Sequence, residues 1–382
     1  MLSEPQKIEN ENMIINKPKD YKQKNNMSLS TKETEFNSVS INDFIQNKNN
    51  LNSIIQINKF FSSELFELQE FIGKGASGVV YKGIHKKNKK PVAIKVFIKE
   101  KHKEKREEKE NLKLSQEISL SKNLHNKNVI EIYAYFNDEK KIDYSVQEYG
   151  KYGDMIYFLK TLLKRATFSE TSLNYFVKQI LEGLSYIHRC KIVHMDIKPD
   201  NILIDGLLVT KIIDFSVSCP YSKFNSEDLV KFPFVGTPKF MAPEVVNRTH
   251  MRIKEAEKID IYSLGVTIYY LFYGKYPYKL YEVKSDNYDG IAKNLKNEKL
   301  EFSKDKKCSE LLEDFLKKTL EKDHTKRINI KQALNHPWIQ GSKIIFDEKE
   351  NINCLENFLI KIITDNIPEF NEYLKKGKNL IS

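Results

Sequence analysis

One short stretch near the middle of the chain, from His194 to Asn201, constrains the protein more than any other feature of its sequence. It reads His-Met-Asp-Ile-Lys-Pro-Asp-Asn, and Asp214 follows thirteen residues after Asn201. Carboxylate and amide oxygens are ligands that Mg²⁺ accepts. Asp196 and Lys198 add a carboxylate and a cation, and together with magnesium ligands these are the groups that phosphoryl transfer requires of a protein. A chance match on a surface loop is the alternative, and the rest of the chain decides between the two.

This stretch resembles the catalytic centre of the protein kinases. The resemblance implies that Asp196 accepts the proton of the substrate hydroxyl and that Lys198 stabilises charge on the moving phosphoryl group. It also implies that Asn201 and Asp214 hold Mg²⁺ as hard oxygen ligands. ATP and Mg²⁺ are therefore the expected cofactors.

Two residues depart from the family pattern. Met195 stands where most kinases have arginine, and Ser216 stands where most have glycine. These departures leave a second hypothesis open, a pseudokinase scaffold that binds partners without transferring phosphate. Scaffolds of that kind usually lose the base, the magnesium aspartate or the strand lysine, whereas Asp196, Asp214 and Lys95 are all present. The pattern therefore favours an active enzyme.

A glycine-rich segment lies nearer the amino terminus, where residues 73–80 read Gly-Lys-Gly-Ala-Ser-Gly-Val-Val. A dinucleotide-binding fold would need these glycines to run into a helix, but the apolar residues that follow predict a strand. This context favours the glycine-rich hairpin of kinases, in which Gly73, Gly75 and Gly78 let backbone amides approach the phosphates of ATP. The same resemblance places Val80 over the adenine.

The next predicted strand, Val92 to Lys95, ends in the lysine that kinases use to hold the α- and β-phosphates. Such a lysine needs a carboxylate to fix its position. We predict Glu117 for this role rather than the glutamates just upstream, because the apolar spacing from Leu114 to Leu124 is helical. Val129 to Tyr133 then predicts the following strand.

Residues 145–150, Ser-Val-Gln-Glu-Tyr-Gly, match the strand and hinge that join the two lobes of a kinase. The resemblance assigns backbone groups of Glu148 and Gly150 to the edge of the adenine. It completes the predicted ATP-binding set with Ala93 and Leu203.

Three charged residues are predicted to be structural. Residues 236–244, Gly-Thr-Pro-Lys-Phe-Met-Ala-Pro-Glu, resemble the kinase segment that seats the substrate and ends in an Ala-Pro-Glu anchor. Glu244 then needs a buried cation, which Arg327 is placed to supply, and Asp260 would brace the backbone of the catalytic loop. A buried charge that loses its partner costs about 3–5 kcal/mol, so loss of Glu244 or Arg327 should unfold this part of the protein.

The resemblance covers most of the chain and implies an α+β, bilobal protein-kinase fold. A small, mostly antiparallel β N-lobe with helix C would precede a larger helical C-lobe. We place the kinase domain at 63–340, with its N-lobe at 63–149 and its C-lobe at 150–340. Residues 1–62 are rich in Asn, Lys and Ser and predict a disordered arm. Residues 341–382 predict a tail with one amphipathic helix.

The order Asp-Ile-Lys-Pro around Asp196 is the serine/threonine version of the loop, so the resemblance implies transfer of the γ-phosphate of ATP to protein Ser and Thr hydroxyls. Residues 214–218 and 235–244 are most similar to the calcium/calmodulin-dependent protein kinase kinases and their plant relatives. Those enzymes phosphorylate the activation loops of other kinases. The catalytic loop also resembles the Wee-type inhibitory kinases, which usually lack the Gly-Thr-Pro segment present here.

The segment before Thr237 predicts an activation loop that works without phosphate. Many kinases carry a phosphorylated Thr four residues before that position, where this chain has Pro233. The arginine that would pair with such a phosphate is replaced by Met195. The hydroxyl that would carry the phosphate and the arginine that would bind it are thus both missing.

The net charge of +11 is concentrated locally, since residues 82–113 hold thirteen Lys or Arg against five Glu. This pattern predicts a solvated face rather than a docking patch, and without a recognised nucleic-acid module we expect no nucleic-acid partner. The expected partners are ATP and a protein substrate, with another kinase as one possibility. The tail at 341–382 carries six Lys against seven Asp or Glu, which argues against calmodulin.

Hydropathy and cysteine spacing predict the compartment. No apolar run reaches the roughly 18 residues of a membrane span, and the first residues do not resemble a signal peptide. The four cysteines are widely separated and suggest neither a disulfide framework nor a zinc site. We therefore expect no membrane partner and a cytoplasmic location, with the nucleus as the alternative.

Overall fold

The computed structural model describes four parts of the chain, residues 65–74, 78–97, 117–136 and 144–341. The predicted arm and the predicted tail helix lie outside these residues, as do Gly75 and the charged segment 98–116. Within the described parts, no helix is long and apolar enough to cross a membrane.

A five-stranded antiparallel sheet with the strand order β1-β2-β3-β5-β4 forms the amino-terminal lobe. Its strands are β1 (Phe66–Lys74), β2 (Gly78–His85), β3 (Pro91–Phe97), β4 (Ile132–Phe136) and β5 (Tyr144–Gln147). All residues of β3 except Pro91 are buried. In the sequence, a buried strand appears as a short apolar run. In β3 this run is interrupted only by Lys95.

The strand predicted at Val129 to Tyr133 is present, but its predicted beginning was wrong, because β4 begins only at Ile132. Val129 and Ile130 contact the other lobe instead of the sheet. Val129 forms a parallel bridge with Ile212, and the amide of Ile130 donates to the Ile212 oxygen at 3.0 Å. Both side chains are buried, so this short segment fastens the two lobes together.

The carboxy-terminal lobe is mostly helical. Its helices are α1 (Met155–Tyr157), which continues as a π-helix over Phe158–Leu162, α2 (Glu170–Arg189), α3 (Pro243–Val246), α4 (Lys258–Tyr273), α5 (Tyr288–Asn297), α6 (Glu310–Thr319), α7 (Ile330–Leu334) and α8 (Pro337–Gln340). Short 3₁₀ turns cover Pro199–Asn201, Pro238–Phe240, Ile253–Glu255 and Leu280–Glu282. Almost every residue of α4 is buried, as expected of a helix that is apolar on all sides and lies at the centre of a lobe.

Local sequence explains the beginning of α2. The Ser169 side chain accepts a hydrogen bond from the Ser172 amide and caps the helix. One face of α2 then carries the buried apolar residues, so the helix packs as an amphipathic element against the core.

Three pairs of short strands complete the second lobe. They are β6 (Ile192–Val193) with β9 (Cys219–Pro220), β7 (Ile202–Ile204) with β8 (Thr210–Ile212), and β10 (Leu229–Val230) with β11 (Met251–Arg252). Residues 194–201 lie between β6 and β7, and Asp214 lies between β8 and β9. The first two strand pairs therefore hold the predicted catalytic residues in short loops. The α+β bilobal fold expected from the sequence, with an antiparallel sheet in one lobe and helices in the other, is confirmed.

Candidate active site

Lys95 and Glu117 meet beneath the sheet of the amino-terminal lobe. Lys95 Nζ lies 2.7 Å from Glu117 Oε1, and both side chains are buried. Glu117 stands at the start of the described helical residues 117–121. Burial raises the pKa of Glu117, although the charge of Lys95 opposes the shift. The structure thus brings together the lysine and the glutamate that the helical spacing selected.

The Asp196 carboxylate is held at both oxygens. Oδ1 accepts the backbone N–H of Thr237 at 2.7 Å, and Oδ2 accepts the Asn201 side-chain amide at 2.9 Å. Lys198 Nζ lies 2.9 Å from Oδ2 and also donates to Thr237 Oγ1 at 2.6 Å. The carboxylate therefore has a fixed orientation with a cation beside it, the arrangement needed to orient a hydroxyl.

Asn201 uses its amide nitrogen on Asp196, donating to the backbone oxygen at 2.8 Å as well as to Oδ2. This leaves the amide oxygen as the atom that would bind a metal ion. The backbone oxygen of Asn201 accepts the amide of Ile213 at 3.0 Å. Asn201 and Asp214 are thereby tied to each other through the residue that precedes Asp214.

Asp214 lies in a left-handed backbone conformation, with φ of 66°. Burial alone would raise the pKa of its carboxyl, but the charge of Lys95 and hydrogen bonds from Ser216 outweigh burial and lower the pKa below its ordinary value. The backbone amide of Ser216 donates to Asp214 Oδ1 at 3.3 Å. The serine that departs from the family pattern thus helps to keep this carboxylate ionised, the form that a metal ligand requires.

The space predicted for the nucleotide lies between the lobes. A Cβ added at Gly73 would meet nothing within 4 Å, so its surroundings within the described chain leave room for a ligand. A Cβ at Gly78 would collide with the backbone oxygen of Val96, so this glycine is also needed for the pairing of β2 with β3. A side chain at Gly150 would press on Leu203, whose Cβ would be 3.0 Å away.

The remaining predicted ATP-binding residues border the same space. Val80 pairs with Lys95 across β2 and β3, and Ala93 pairs with Gln147 across β3 and β5. The Glu148 amide donates to the Glu131 oxygen at 2.9 Å. Of the two backbone groups of Glu148, the carbonyl is therefore the one that would meet adenine.

Asp260 braces the catalytic loop as predicted. Its Oδ2 accepts the backbone N–H of His194 at 2.8 Å, and its Oδ1 accepts that of Met195 at 2.9 Å. His188 Nε2 lies 2.8 Å from the same Oδ2. The aspartate is fully buried, so these donors compensate for the loss of water around its charge.

Glu244 and Arg327 form the buried pair expected from the sequence. Arg327 Nη1 donates to Glu244 Oε1 at 2.7 Å, and Nη2 donates to Oε2 at 3.0 Å. Nη1 also donates to the Lys258 oxygen at 2.8 Å. The two-point contact fixes the end of the 236–244 segment to the core of the lobe.

A match to a protein-family model shows which family of proteins has this site. The model for the protein kinase domain matches residues 66–339, which is more than half of the chain. This chain belongs to the protein kinase domain family.

Individual protein kinases are similar over the same region. Calcium-dependent protein kinase 3 of Plasmodium berghei is 33% identical over 305 residues, covering 76% of this chain and 50% of the relative. Myosin light chain kinase A of Dictyostelium discoideum is 31% identical over 284 residues, covering 73% and 89%. Human death-associated protein kinase 2 is 30% identical over 302 residues, covering 77% of each chain. The chain spans about half the length of the Plasmodium relatives it matches.

The kinase site fits a magnesium ion that is shared with a nucleotide. The described residues contain no cluster of three or more His, Cys, Asp or Glu that could cage a metal. Mg²⁺ in phosphoryl-transfer sites usually has one or two protein carboxylates, with phosphate oxygens and water completing its shell. Asp214 and the amide oxygen of Asn201 supply ligands of this kind.

Three partners in this kinase site were missed by the sequence reasoning. They are Thr237, which contacts Asp196 and Lys198, His188, which contacts Asp260, and Lys211, whose Nζ lies 2.7 Å from Glu148 Oε1. Each contact joins residues far apart in the chain. Only Lys211, as the single charged residue in the sequence Leu-Leu-Val-Thr-Lys-Ile-Ile at 207–213, could have suggested a buried partner.

Proposed function

We propose that this chain is an active serine/threonine protein kinase that transfers the γ-phosphate of ATP to Ser and Thr hydroxyls of proteins. The observation that carries the proposal is the geometry of Asp196. Asn201 and Thr237 hold its two oxygens, and Lys198 lies 2.9 Å away. A scaffold without activity would not need this carboxylate to be oriented beside a lysine.

Asp196 would accept the proton of the substrate hydroxyl as the hydroxyl oxygen attacks phosphorus. Lys198 would stabilise the negative charge that develops on the transferred group, and Lys95, held by Glu117, would place the phosphates. Mg²⁺, held by Asn201 and Asp214, would neutralise phosphate charge when bound.

The adenine would lie between Val80 and Ala93 of the first lobe and Leu203 of the second. The carbonyl of Glu148 and the amide of Gly150 would form hydrogen bonds with the edge of the adenine. Gly73, Gly75 and Gly78 would let the backbone cover the phosphates. These roles rest on the resemblance of the sequence to kinases, and the positions of the described residues support them.

The preference for Ser and Thr rests on Lys198. Its ammonium group donates to Thr237 Oγ1 at 2.6 Å and contacts Asp196, so it links the base to the segment that would seat the substrate. The test is a transfer assay with purified full-length protein, labelled ATP, Mg²⁺ and generic Ser, Thr and Tyr peptides. Label on Ser or Thr is expected, and a protein that binds ATP but transfers no label would favour the scaffold.

Within this activity, we propose that the substrates are the activation loops of other kinases. The proposal rests on residues 214–218 and 235–244, which resemble the calcium/calmodulin-dependent protein kinase kinases. A panel of catalytically inactive kinases incubated with this protein and labelled ATP should acquire label on their activation loops. Label confined to other sites would contradict the substrate class and leave the kinase activity intact.

The location and partners form a separate proposal. We propose that the protein works in the cytoplasm without nucleic-acid, membrane or calmodulin partners, on the charge pattern and hydropathy of the sequence. Retention of the protein on calmodulin resin in the presence of Ca²⁺ would contradict the part of this proposal that concerns the tail.

A further inference from the structure

A cavity of about 370 Å³ opens in the carboxy-terminal lobe, and its walls contain none of the residues assigned to ATP. The walls come from the end of α2 and Lys191 after it, from residues 221–226 after β9, from residues 253–257 before α4, and from Ile330 of α7. The cavity thus lies against the beginning of the activation segment. Its volume is in the range of small-ligand sites.

His188 lines this cavity and has a buried nitrogen without a partner. The residue is 4% exposed, and its Nε2 is taken up by Asp260 at 2.8 Å. In the described parts of the chain, Nδ1 has no hydrogen-bond partner. Buried polar atoms are nearly always paired, so the unpaired Nδ1 of a residue that lines the cavity is a candidate contact for a group that enters it.

Because Asp260 accepts from Nε2, the protonation of the ring decides what Nδ1 offers. A neutral ring presents an acceptor, and a protonated ring beside the Asp260 carboxylate presents a donor.

The rim of the cavity is positively charged. It carries Arg189, Lys191 and Lys254 against the single carboxylate of Glu257. Lys254 pairs with Glu227 at 2.8 Å, but the described residues supply no carboxylate partner for Arg189 or Lys191. Both of these cations are exposed and are therefore available to an incoming anion.

The rest of the lining is suited to a phosphate carried on a small organic group. Ser185, Ser222 and Ser226 bring hydroxyls to the wall, and Phe224 and Ile253 bring apolar surface. Hydroxyls and cations bind phosphate oxygens, while the apolar wall would contact the carbon part of an ester.

We propose that this cavity binds a phosphate monoester, with Arg189 and Lys191 contacting the phosphate and Nδ1 of His188 sharing a hydrogen bond with it. The phosphate could come from a free organic ester, or from a phosphoserine at Ser222 or Ser226 of the same chain. Binding at this cavity does not depend on the proposed kinase activity, so the two can fail separately.

The test is calorimetric titration of phenyl phosphate into phosphatase-treated full-length protein, after removal of the phosphatase, with and without ADP and Mg²⁺. Binding is expected in both conditions with similar affinity. The double variant Arg189→Gln/Lys191→Gln should bind at least about tenfold more weakly, because two charge-assisted contacts are lost. The matched control Lys293→Gln/Lys296→Gln changes two exposed lysines on α5 and should bind as the parent does.

Three results would overturn the proposal: no binding of phenyl phosphate, binding that ADP abolishes, or equal affinity in the Arg189 and Lys191 variant. The source of the phosphate is then found by incubating the protein with ATP and Mg²⁺ and mapping phosphates by mass spectrometry. If a phosphoserine fills the cavity, the incubated protein stops binding phenyl phosphate, and Ser222→Ala/Ser226→Ala keeps binding. If both serines stay unmodified and binding is unchanged, while a generic peptide is phosphorylated in the same incubation, a free ester is the ligand.

Discussion

Thr237 donates its backbone N–H to Oδ1 of Asp196 over 2.7 Å, although 41 residues separate the two in the chain. The bond joins the segment that would seat the substrate to the residue that would accept its proton. Gly236 makes this approach possible, since its φ is 101° and a Cβ there would collide with the backbone oxygen of Met195.

Replacing Gly236 with alanine should therefore separate Thr237 from Asp196. We expect Gly236→Ala to lower turnover by about tenfold or more, because a strained or displaced backbone of this kind costs on the order of 1–3 kcal/mol. Steady-state kinetics on a peptide substrate would measure the loss. Gly206→Ala is the matched control, since its Cβ would meet only the Lys151 side chain, at 3.4 Å. Equal loss in both variants would contradict this account.

Asp196→Asn should retain nucleotide binding and lose turnover. The asparagine keeps an acceptor for the Thr237 amide but cannot take up a proton, and a positioned base contributes roughly 10²–10⁴ in rate. ADP affinity and transfer rate should be measured on the same preparation. Asp200→Asn, at an exposed position in the same loop, should behave as the parent does. Comparable turnover by Asp196→Asn and the parent would sink the assignment of the base.

Lys95→Met and Glu117→Gln should each impair transfer, and the double variant should be little worse than either single variant. Each change breaks the same contact, the one that would position the phosphates of ATP. Their effects on the free energy of the transition state are therefore not independent. A cycle of kcat/KM values measures the coupling.

The matched control for this cycle is the pair Lys82 and Glu70, which is exposed on the same sheet with its charged atoms 3.1 Å apart. Lys82→Met and Glu70→Gln should leave kcat/KM nearly unchanged. Additive losses for Lys95 and Glu117 would mean that their contact does not act in catalysis.

Loss of either partner of the Glu244 and Arg327 pair should unfold the protein before it alters chemistry. Both side chains are almost completely buried, and a single buried charge without its partner costs about 3–5 kcal/mol. Chemical denaturation of Glu244→Gln and Arg327→Met should show this loss. Glu313→Gln, which breaks an exposed helical pair with Lys317, is the control and should change stability little. A folded Arg327→Met protein of parental stability would refute the prediction.

Activity should not require phosphate on residues 214–244. The Met195 side chain is buried, so the position that usually carries the phosphate-binding arginine is part of the apolar core. Phe232 is buried as well, and Phe234 packs edge-on against Tyr288, with ring centroids 5.0 Å apart, while Arg248 lies over its ring. Apolar and cation–π contacts hold this loop where other kinases use a phosphate.

The check is to remove phosphate with a broad phosphatase, confirm its absence from residues 214–244 by mass spectrometry, and assay after the phosphatase is removed. Full activity is expected. An inactive preparation that recovers only on rephosphorylation of this loop would show that the packing of Phe232 and Phe234 is not sufficient.

The sequence by itself determined the features that local chain geometry encodes. The strand predicted from Val92 to Lys95 lies within β3, and helical spacing selected Glu117 as the partner of Lys95. The pairing of Glu244 with Arg327 was also predictable, because a buried charge needs a partner and the family resemblance placed one. Local spacing was less reliable at Val129, where an extended segment contacts the other lobe at Ile212 and does not enter the sheet.

Tertiary structure alone decided the contacts between segments that lie far apart in the chain. The bonds from Thr237 to Asp196, from His188 to Asp260 and from Lys211 to Glu148 depend on how the loops meet after the lobes have packed. The apolar periodicity within one segment does not predict these contacts, because each side chain becomes buried only when the partner segment covers it. Burial and long-range charge then decide which groups stay ionised, as at Asp214, and that information exists only in the folded chain.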